Sequence, residues 1–332
     1  MDNQNMTISV IIPVYNASAT LSHCLKSLSL QTYRHLELLF VDDCSTDDSL
    51  QILTSFAEQH SDKGLLIKVI HHDYNRGVAS ARNTALEQAT GDYVYYVDAD
   101  DFIEPNTLEL LGNEVKKNDL DILGHEWYLT FSSNERYMKQ PPYNTPEEAL
   151  RNMMCGVMRW NLWLFLVRRS LYVENHIRFM DQMNMGEDMM VMMKLFACAK
   201  KVSILHFPFY HYEQSNINSL TKNYSQEHIN QVTNNVYEVE QYIRTTTYAS
   251  LISQYIPYLK LNIKLPLLMS DDQSQYRQWL KWFPESNEYV MQNKLLSIRV
   301  KAIQWLAKKE CYTLLRLYYK LVFKLVYGII YK

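Results

Sequence analysis

Three aspartates, Asp98, Asp100 and Asp101, follow directly on the apolar and aromatic run Tyr93–Val97. Such a run is typical of a buried strand. Carboxylates this close together repel one another, and burying them is costly unless a cation neutralises their charge. A divalent cation with oxygen ligands is the simplest partner. The alternative is a solvated acidic turn that caps the helix beginning at Pro105, and this stretch alone does not decide between the two.

A second pair of acids, Asp42 and Asp43, ends another apolar run, Leu36–Val41. The structural alternative for this pair is to cap the helix that follows. Ser45 and Asp47 already offer caps for that helix. We therefore favour a functional role for at least one acid of the pair.

Strand and helix patterns alternate over the first 124 residues and would bring these acids together. The predicted strands are Thr7–Tyr15, Leu36–Val41, Leu65–Ile70, Tyr93–Val97 and Asp121–Gly124, and the helices run to about Leu30, to about Gln59, over Val78–Ala89 and from Pro105. This alternation predicts an α/β fold with a mainly parallel, doubly wound sheet. Ligands of such sheets bind beyond the carboxyl ends of the strands, where Pro13, Val14 and Tyr15 would join the acids.

The usual glycine-rich phosphate loops are missing from this edge. The chain has no G-x-x-x-x-G-K-S/T motif, and no G-x-G-x-x-G motif follows the first strand. A phosphate ligand would therefore need a bound metal ion, with help from Arg76 or Arg82, because carboxylates and a diphosphate alone repel. The alternative for Arg82 is a solvated helix face.

Composition narrows the class of protein. The 332 residues are 47% hydrophobic and 21% charged, and the formal net charge of −3 gives no nucleic-acid signature. The five cysteines are scattered and never spaced as C-x-x-C, which argues against disulfides or a zinc site and favours a reducing compartment. We find no signal-peptide pattern and no run long and uncharged enough to span a bilayer, so we expect a cytoplasmic protein.

Six motifs in order carry a resemblance to a known family. They are SVIIPVYN (Ser9–Asn16), SLSLQT (Ser27–Thr32), VDDCSTDDS (Val41–Ser49), NRGVASARNTAL (Asn75–Leu86), GDYVYYVDADD (Gly91–Asp101) and GED (Gly186–Asp188). Together they resemble family 2 of the inverting, nucleotide-sugar-dependent glycosyltransferases. The resemblance covers Ile8 to about Thr221, and Cys44, where glycine is commoner, is a mild departure. It implies the GT-A fold, with residues 1–124 as a nucleotide-sugar-binding half and residues 125–222 as an acceptor half.

The resemblance also implies roles in donor binding. Pro13, Val14 and Tyr15 would line the nucleoside pocket. Asp43 would accept a hydrogen bond from the uracil imide, with Asp42 as the second choice.

The diphosphate and metal contacts follow from the same resemblance. Arg82 would hold the nucleotide diphosphate. Asp98, Ala99 and Asp100 match the D-x-D motif, in which Asp98 would lie near ribose or sugar and Asp100 would ligate Mn²⁺ or Mg²⁺. Asp101 is a further candidate contact.

The acids Glu187 and Asp188 begin a methionine-rich helix that is apolar nearly all round and therefore buried. Their structural alternative is a simple negative charge at a helix N-terminus. The resemblance instead implies that Asp188 is the general base and that Glu187 contacts or orients the acceptor. His211 and Ser219 are weaker candidates, since a lone histidine is more often structural. We interpret the apolar segment Trp160–Val167 as core rather than as a sugar-stacking platform.

We predict a helical C-terminal region over residues 223–332, interrupted at Pro257, Pro266 and Pro284. Its tail, Arg299–Lys332, carries eight basic residues and a single acid. Arg316, Lys320 and Lys324 form one basic stripe beside a wide apolar face, a pattern typical of a helix at an anionic membrane surface. The alternative is a helix packed on the catalytic domain.

These observations predict a metal-dependent glycosyltransferase that moves a sugar from a UDP-sugar to a glycan or lipid-linked acceptor with inversion. It would work at the inner face of the cell membrane as a peripheral protein. A non-catalytic nucleotide-sugar-binding subunit is the alternative. A nucleotidyltransferase is disfavoured, because such an enzyme would normally have a glycine-rich loop where this chain has PVYNAS.

Overall fold

The computed structural model describes residues 6–60, 65–214 and 225–322. Strands and helices alternate in the first 124 residues, as the sequence predicts. Their bounds are β1 (Ile8–Val14), α1 (Leu21–Ser29), β2 (Leu36–Asp42), α2 (Ser49–His60), β3 (Leu66–His71), α3 (Val78–Gln88), β4 (Tyr93–Tyr96), β5 (Phe102–Ile103) and α4 (Thr107–Asn118).

The first four strands form a parallel array in the order β3-β2-β1-β4. In β1 and β2, Ile8 lies opposite Leu36 and Val14 lies opposite Asp42. Both strands are buried along almost their whole length, as expected for parallel strands with both faces covered. The carboxyl ends of β1, β2 and β4 therefore open on one edge of the sheet.

The rest of the sheet is mixed. It contains β6 (Ile122–Thr130), β7 (Glu135–Met138), β8 (Phe165–Arg168) and β9 (Val202–Glu213). The order continues β4-β8-β6-β9-β5 with β7 beside β6, and β8 is antiparallel to both β4 and β6. Parallel pairing thus holds for the first four strands and for β6 with β9, whereas the other strand pairs are antiparallel. The short turn between β6 and β7 allows only an antiparallel hairpin.

Three helices complete this part of the chain: α5 (Pro146–Met154), α6 (Arg169–Glu174) and α7 (Glu187–Cys198). Helix α7 is buried nearly all round, as its methionines predict. Residues 162–167 are also buried, in a 3-10 turn (Leu162–Leu164) and in β8. This confirms the prediction of core for residues 162–167, whereas Trp160 and Asn161 are half-buried.

The C-terminal region is helical, as predicted, with α8 (Gln226–Arg244), α9 (Ala249–Ile263), α10 (Gln273–Lys281), α11 (Ile298–Lys308) and α12 (Tyr312–Tyr318). Helix α8 packs on α7. Asn235 Nδ2 donates to the Met185 carbonyl at 2.8 Å, and Lys194 Nζ lies 2.7 Å from Glu238 Oε1. This region therefore supports the helix that begins with Glu187.

The predicted break at Pro257 is wrong, because Pro257 lies inside α9. A proline in a helix loses one backbone hydrogen bond, but burial of the neighbouring Ile256 and Leu259 offsets that loss. Pro266 and Pro284 do mark breaks, each at the start of a 3-10 turn.

No helix within the three described ranges is long and apolar enough to cross a membrane. The predicted boundary near residue 222 falls between described segments. The division into domains therefore stays a prediction.

Candidate active site

Arg82 of α3 lies at the centre of an acidic cluster formed by Asp98, Glu187 and Asp188. Its Nη1 donates to Glu187 Oε1 at 2.8 Å and to Asp188 Oδ1 at 2.9 Å. Its Nη2 lies 3.3 Å from Asp98 Oδ1. The guanidinium carbon also lies 5.7 Å from the ring centre of Phe179. Arg82 is 4% exposed, so the alternative of a solvated helix face is wrong for this residue.

Backbone features at the ends of the elements place these side chains. Helix α3 begins after Gly77 and α7 begins after Gly186, and both glycines have positive φ (85° and 80°) that other residues rarely adopt. An added Cβ at Gly77 would lie 2.3 Å from Asn184 Nδ2. Because glycine has no Cβ, the chain can pass close to Asn184 as it turns into α3. Strand β4 delivers Asp98 through Val97, whose N–H donates to the Ile11 carbonyl.

The cluster contains more negative than positive charge. Burial, reinforced by Asp188 and opposed by Arg82, raises the pKa of Glu187 to about 8. Burial, opposed by Arg82 and reinforced by Asp100, raises the pKa of Asp98 to about 6. The Asp98 side chain is 29% exposed, so water screens part of this effect. The site therefore favours the arrival of a further cation or proton.

Asp101 holds the acidic turn in place. The Tyr210 hydroxyl donates to Asp101 Oδ2 at 2.7 Å, and the Glu213 N–H donates to Asp101 Oδ1 at 2.8 Å. The Asp98 N–H donates in turn to the Tyr210 hydroxyl at 3.0 Å. The Trp163 ring stacks on Tyr210, with ring centres 4.3 Å apart.

The sequence did not predict Tyr210 or Trp163 as residues that support the site. The signals were the aromatic segment FPFYHYE (residues 207–213) for Tyr210 and the apolar segment Trp160–Val167 for Trp163. With both carboxylate oxygens in use, Asp101 is placed to position Asp98 rather than to bind a ligand itself. Its direct contact with a ligand stays a prediction.

Asp100 is half-buried, between Asp98 and Asp101. A hard divalent ion fits this chemistry, because Asp98 and Asp188 offer carboxylate oxygens around the single guanidinium of Arg82, and Asp100 adds a third carboxylate two residues after Asp98. Within the described ranges, no group of three or more histidine, cysteine, aspartate or glutamate side chains is arranged to hold a metal. An ion here would need further oxygens from a substrate or water, which is how Mg²⁺ commonly binds beside phosphates.

The predicted nucleoside-binding residues line the same edge. Val14 is buried, Pro13 is half-buried and Tyr15 is 52% exposed, so the Tyr15 ring is available to a ligand. Ala99 is buried, and its carbonyl accepts from the Thr20 hydroxyl at 3.3 Å. The roles of these residues in nucleotide binding stay predictions.

The two acids that end β2 have different surroundings. Asp43 accepts hydrogen bonds from the backbone N–H groups of Arg76 and Gly77, at 2.9 and 2.7 Å, and lies 2.7 Å from His72 Nδ1. It therefore fixes the loop before α3. Asp42 Oδ2 lies 2.8 Å from His71 Nδ1. The other Asp42 oxygen is buried and has no hydrogen-bond partner among the described residues.

The structure gives His211 a structural setting. Its Nε2 lies 2.9 Å from Glu104 Oε1 and its Nδ1 lies 2.8 Å from Glu135 Oε1. Phe102 and Tyr128 stack on its ring at 4.2 and 5.0 Å. With both nitrogens engaged, His211 is not placed to ligate a metal in this arrangement. Ser219 lies outside the described residues.

Solved structures share this fold. A crystal structure of S. aureus TarS residues 1–349 in complex with UDP-GlcNAc matches with a TM-score of 0.71 and 22% identity, covering 95% of this chain and 92% of that chain. The mannosyltransferase PcManGT from Pyrobaculum calidifontis, in complex with GDP-Man and Mn²⁺, matches with a TM-score of 0.58 and 18% identity, covering 97% and 89%. At these identities the likeness establishes the fold alone, which is GT-A.

The family model described as glycosyl transferase family 2 matches residues 9–194, more than half of the chain. The chain belongs to this family. This agrees with the resemblance that its motifs carry.

Curated relatives match over somewhat less than two thirds of the chain. The uncharacterized glycosyltransferase EpsJ of Bacillus subtilis is 32% identical over 224 residues, which are 65% of this chain and 63% of EpsJ. The cholesterol galactosyltransferase of Borreliella burgdorferi is 34% identical over 217 residues, which are 61% of this chain and 59% of the relative. This chain therefore spans less than two thirds of either relative's length.

Proposed function

We propose that this protein transfers a sugar from a UDP-sugar to a hydroxyl group of a glycan or lipid-linked acceptor, with inversion at the anomeric carbon. The observation that carries the proposal is the contact of Asp98 and Asp188 with the one guanidinium of Arg82. Asp98 comes from the predicted donor half and Asp188 from the predicted acceptor half. The complexes of TarS with UDP and UDP-GlcNAc support uridine diphosphate as the donor nucleotide.

Asp188 is the proposed general base. Its Oδ1 is held by Arg82, while its Oδ2 lies 3.4 Å from the Leu162 N–H. The side chain is 17% exposed, so an acceptor hydroxyl can reach it. As the acceptor oxygen bonds to the anomeric carbon, the bond from that carbon to the UDP oxygen breaks. Asp188 takes the acceptor proton, and UDP leaves with the electrons of the broken bond.

Arg82 acts on the carboxylates in this proposal rather than on the diphosphate, since its guanidinium is buried between them. Asp100, with Asp98, would hold Mn²⁺ or Mg²⁺. When bound, the ion supplies positive charge that stabilises the departing diphosphate. The Mn²⁺ complex of PcManGT supports a divalent ion in this fold.

Two variants test these assignments, one for the general base and one for the metal ligand. Asp188→Asn keeps the shape but cannot take a proton, so turnover is expected to fall by ~10²–10⁴-fold with nearly normal UDP binding. Asp100→Ala is expected to abolish UDP binding that depends on Mn²⁺, measured by calorimetric titration. Wild-type turnover in Asp188→Asn would refute the base, and unchanged titration of Asp100→Ala would refute the metal ligand. Hydrolysis of UDP-sugars by the wild type would exclude a non-catalytic subunit.

We also propose that the C-terminal helices contact an anionic membrane. Leu314, Leu317 and Leu321 form a stripe at helical spacing and are each about half exposed (51, 52 and 52%). Arg316 and Lys320 lie between them in sequence and are exposed as well. Apolar and basic groups on one exposed face match the interface of an anionic bilayer. Lys324, the third member of the predicted basic stripe, lies outside the described residues.

Sedimentation with liposomes tests this contact. Replacing Leu314, Leu317 and Leu321 by serine is expected to release the protein from vesicles that contain anionic lipid, while UDP binding persists. Vesicles of neutral lipid serve as the control for the basic residues. Undiminished binding of the triple variant to anionic vesicles would contradict the membrane contact.

A further inference from the structure

A polar cavity of about 310 Å³ is lined by segments that are near Arg82 and Glu187 in sequence. The loop before α3, the segment before α7 and the first turns of α8 form its walls. Its lining includes Tyr74, Arg76, Asp181, Gln182, Glu227 and Gln231. The volume is at the lower end of the range for small-molecule sites, about 300–1,000 Å³.

The cavity and the Arg82 cluster are built on the same two segments. Ser80 lines the cavity and lies two residues before Arg82 in α3, and its hydroxyl donates to Asp181 Oδ1 at 3.0 Å. Asn184 lines the cavity four residues before Asp188, and its Oδ1 accepts from the Ala79 N–H at 3.1 Å. Four residues of chain span at most about 15 Å, so the wall at Asn184 lies within that distance of the proposed base.

The lining indicates the kind of ligand. One base, Arg76, faces two acids, Asp181 and Glu227, so the cavity gives no net attraction to an anion such as a phosphate. The remaining polar groups are amides and hydroxyls, which pair well with sugar hydroxyls. Tyr74, at the edge, is 68% exposed and offers a flat amphipathic ring. Such a lining suits a neutral polyhydroxylated ligand better than a nucleotide.

The cavity joins residues inside the family match to residues beyond it. The walls from α3 and from the segment before α7 lie within the family match at residues 9–194, whereas Glu227 and Gln231 belong to α8, beyond it. Gln231 Oε1 accepts from the Asn184 N–H at 3.0 Å and ties the two walls together. The cavity is therefore completed by a helix that lies beyond the family match.

We propose that this cavity binds a neutral sugar unit of the acceptor glycan. The inference rests on the proposed function for the identity of the acceptor. Hydrogen bonds to sugar hydroxyls would give the site its selectivity, because an analogue that lacks a hydroxyl leaves buried polar groups unpaired.

Saturation-transfer NMR with neutral disaccharides tests the assignment without a donor. The probes are lactose, cellobiose and N,N′-diacetylchitobiose at millimolar concentration, with the full chain. We expect at least one of them to bind the wild type. Tyr74→Ala is expected to weaken that binding by roughly tenfold, because an exposed aromatic contact is lost. Tyr237→Ala is the matched control, since Tyr237 is also exposed (49%) and lies further along α8, outside the cavity lining.

Three results would overturn the assignment: no probe binds, Tyr74→Ala binds as the wild type does, or UDP displaces the disaccharide from the cavity. UDP titration with Mn²⁺ separates this inference from the proposed function. If the wild type fails to bind UDP but its disaccharide binding still depends on Tyr74, the proposed donor is wrong and the cavity assignment stands.

Discussion

Arg82 and Lys264 are both buried cations, but their surroundings are opposite. Arg82 is surrounded by carboxylates that come from β4 and α7, two elements far apart in sequence. Lys264, which is fully buried, lies in the C-terminal helices, and its Nζ donates to the Trp282 carbonyl at 2.8 Å and to Asn287 Oδ1 at 2.5 Å. The Trp279 ring centre lies 4.2 Å from the same nitrogen. Arg82 is thus paired with charged carboxylates, whereas Lys264 is surrounded by neutral hydrogen-bond acceptors.

The Arg82 site therefore holds excess negative charge, whereas the Lys264 site only stabilises the packing of the C-terminal helices. Burying several like charges is costly. We infer that the Arg82 cluster is retained because it has a function. The Lys264 site joins the end of α9 to the segment 282–287 through neutral groups. We therefore expect substitutions at Arg82 to affect activity most, and those at Lys264 to affect stability alone.

The largest expected effect is that of Arg82→Met on sugar transfer. Without the guanidinium, Glu187, Asp188 and Asp98 repel one another and the proposed base moves. A misplacement of about 1 Å at a catalytic group costs roughly 10²-fold in rate, which initial-rate measurements would detect. Arg82→Lys is the matched variant, and it is expected to recover little activity because a point charge cannot bridge three carboxylates as a guanidinium does. Full activity in Arg82→Met would remove the basis of the comparison.

A smaller effect is expected for Lys264→Met. The change leaves the Trp282 carbonyl and Asn287 Oδ1 without their donor, at a cost of about 1–3 kcal/mol in the free energy of unfolding. Sugar transfer at a temperature where the variant is folded should be unchanged. Denaturant unfolding and initial rates measure the two quantities. Lys308→Met is the control, because its partner Glu288 is exposed and the loss there is about 0–1 kcal/mol.

Much of the first half could be predicted from sequence because its signals are local. Apolar runs that end in acids mark β2 and β4, and the parallel pairing of both strands with β1 brings Asp42 and Asp98 to one edge. That Asp98 and the acids of α7 meet at Arg82 could be expected only from the family resemblance, because Asp98 and Glu187 are 89 positions apart in the sequence. Arg82 was predicted to hold a diphosphate. A sequence gives no sign that its guanidinium would be buried between three carboxylates.

The supporting contacts were harder to predict because they depend on tertiary packing. Tyr210 reaches Asp101 because β9 pairs with both β6 and β5, and no short pattern encodes that pairing. Pro257 shows the same limit in the C-terminal helices, since local propensity predicts a break where burial of its neighbours keeps the helix intact. Gly77 and Gly186 are the exceptions, because their positive φ agrees with a local residue preference.

The pH dependence of stability gives the smallest and sharpest contrast between the two sites. The pKa of Glu187, about 8, lies above its usual value of 4.5. Between these values the folded protein holds a proton that the unfolded chain has released, so this contribution to stability falls as pH rises. Burial, opposed by Glu285, lowers the pKa of Lys264 from 10.5 to about 7. In that window the unfolded chain holds the extra proton, and the contribution of Lys264 rises with pH.

Thermal unfolding without metal, followed from pH 4.5 to pH 10.5, should therefore separate the two groups. Glu187→Gln is expected to flatten the fall in melting temperature toward pH 8, because glutamine carries no proton to release. Lys264→Met is expected to flatten the rise above pH 7, where the wild type gains stability from its neutral amine. Both variants could instead shift the whole curve of melting temperature against pH without changing its slope. In that case Glu187 and Lys264 do not titrate in opposite directions, and the contrast between the acidic Arg82 site and the neutral Lys264 site fails.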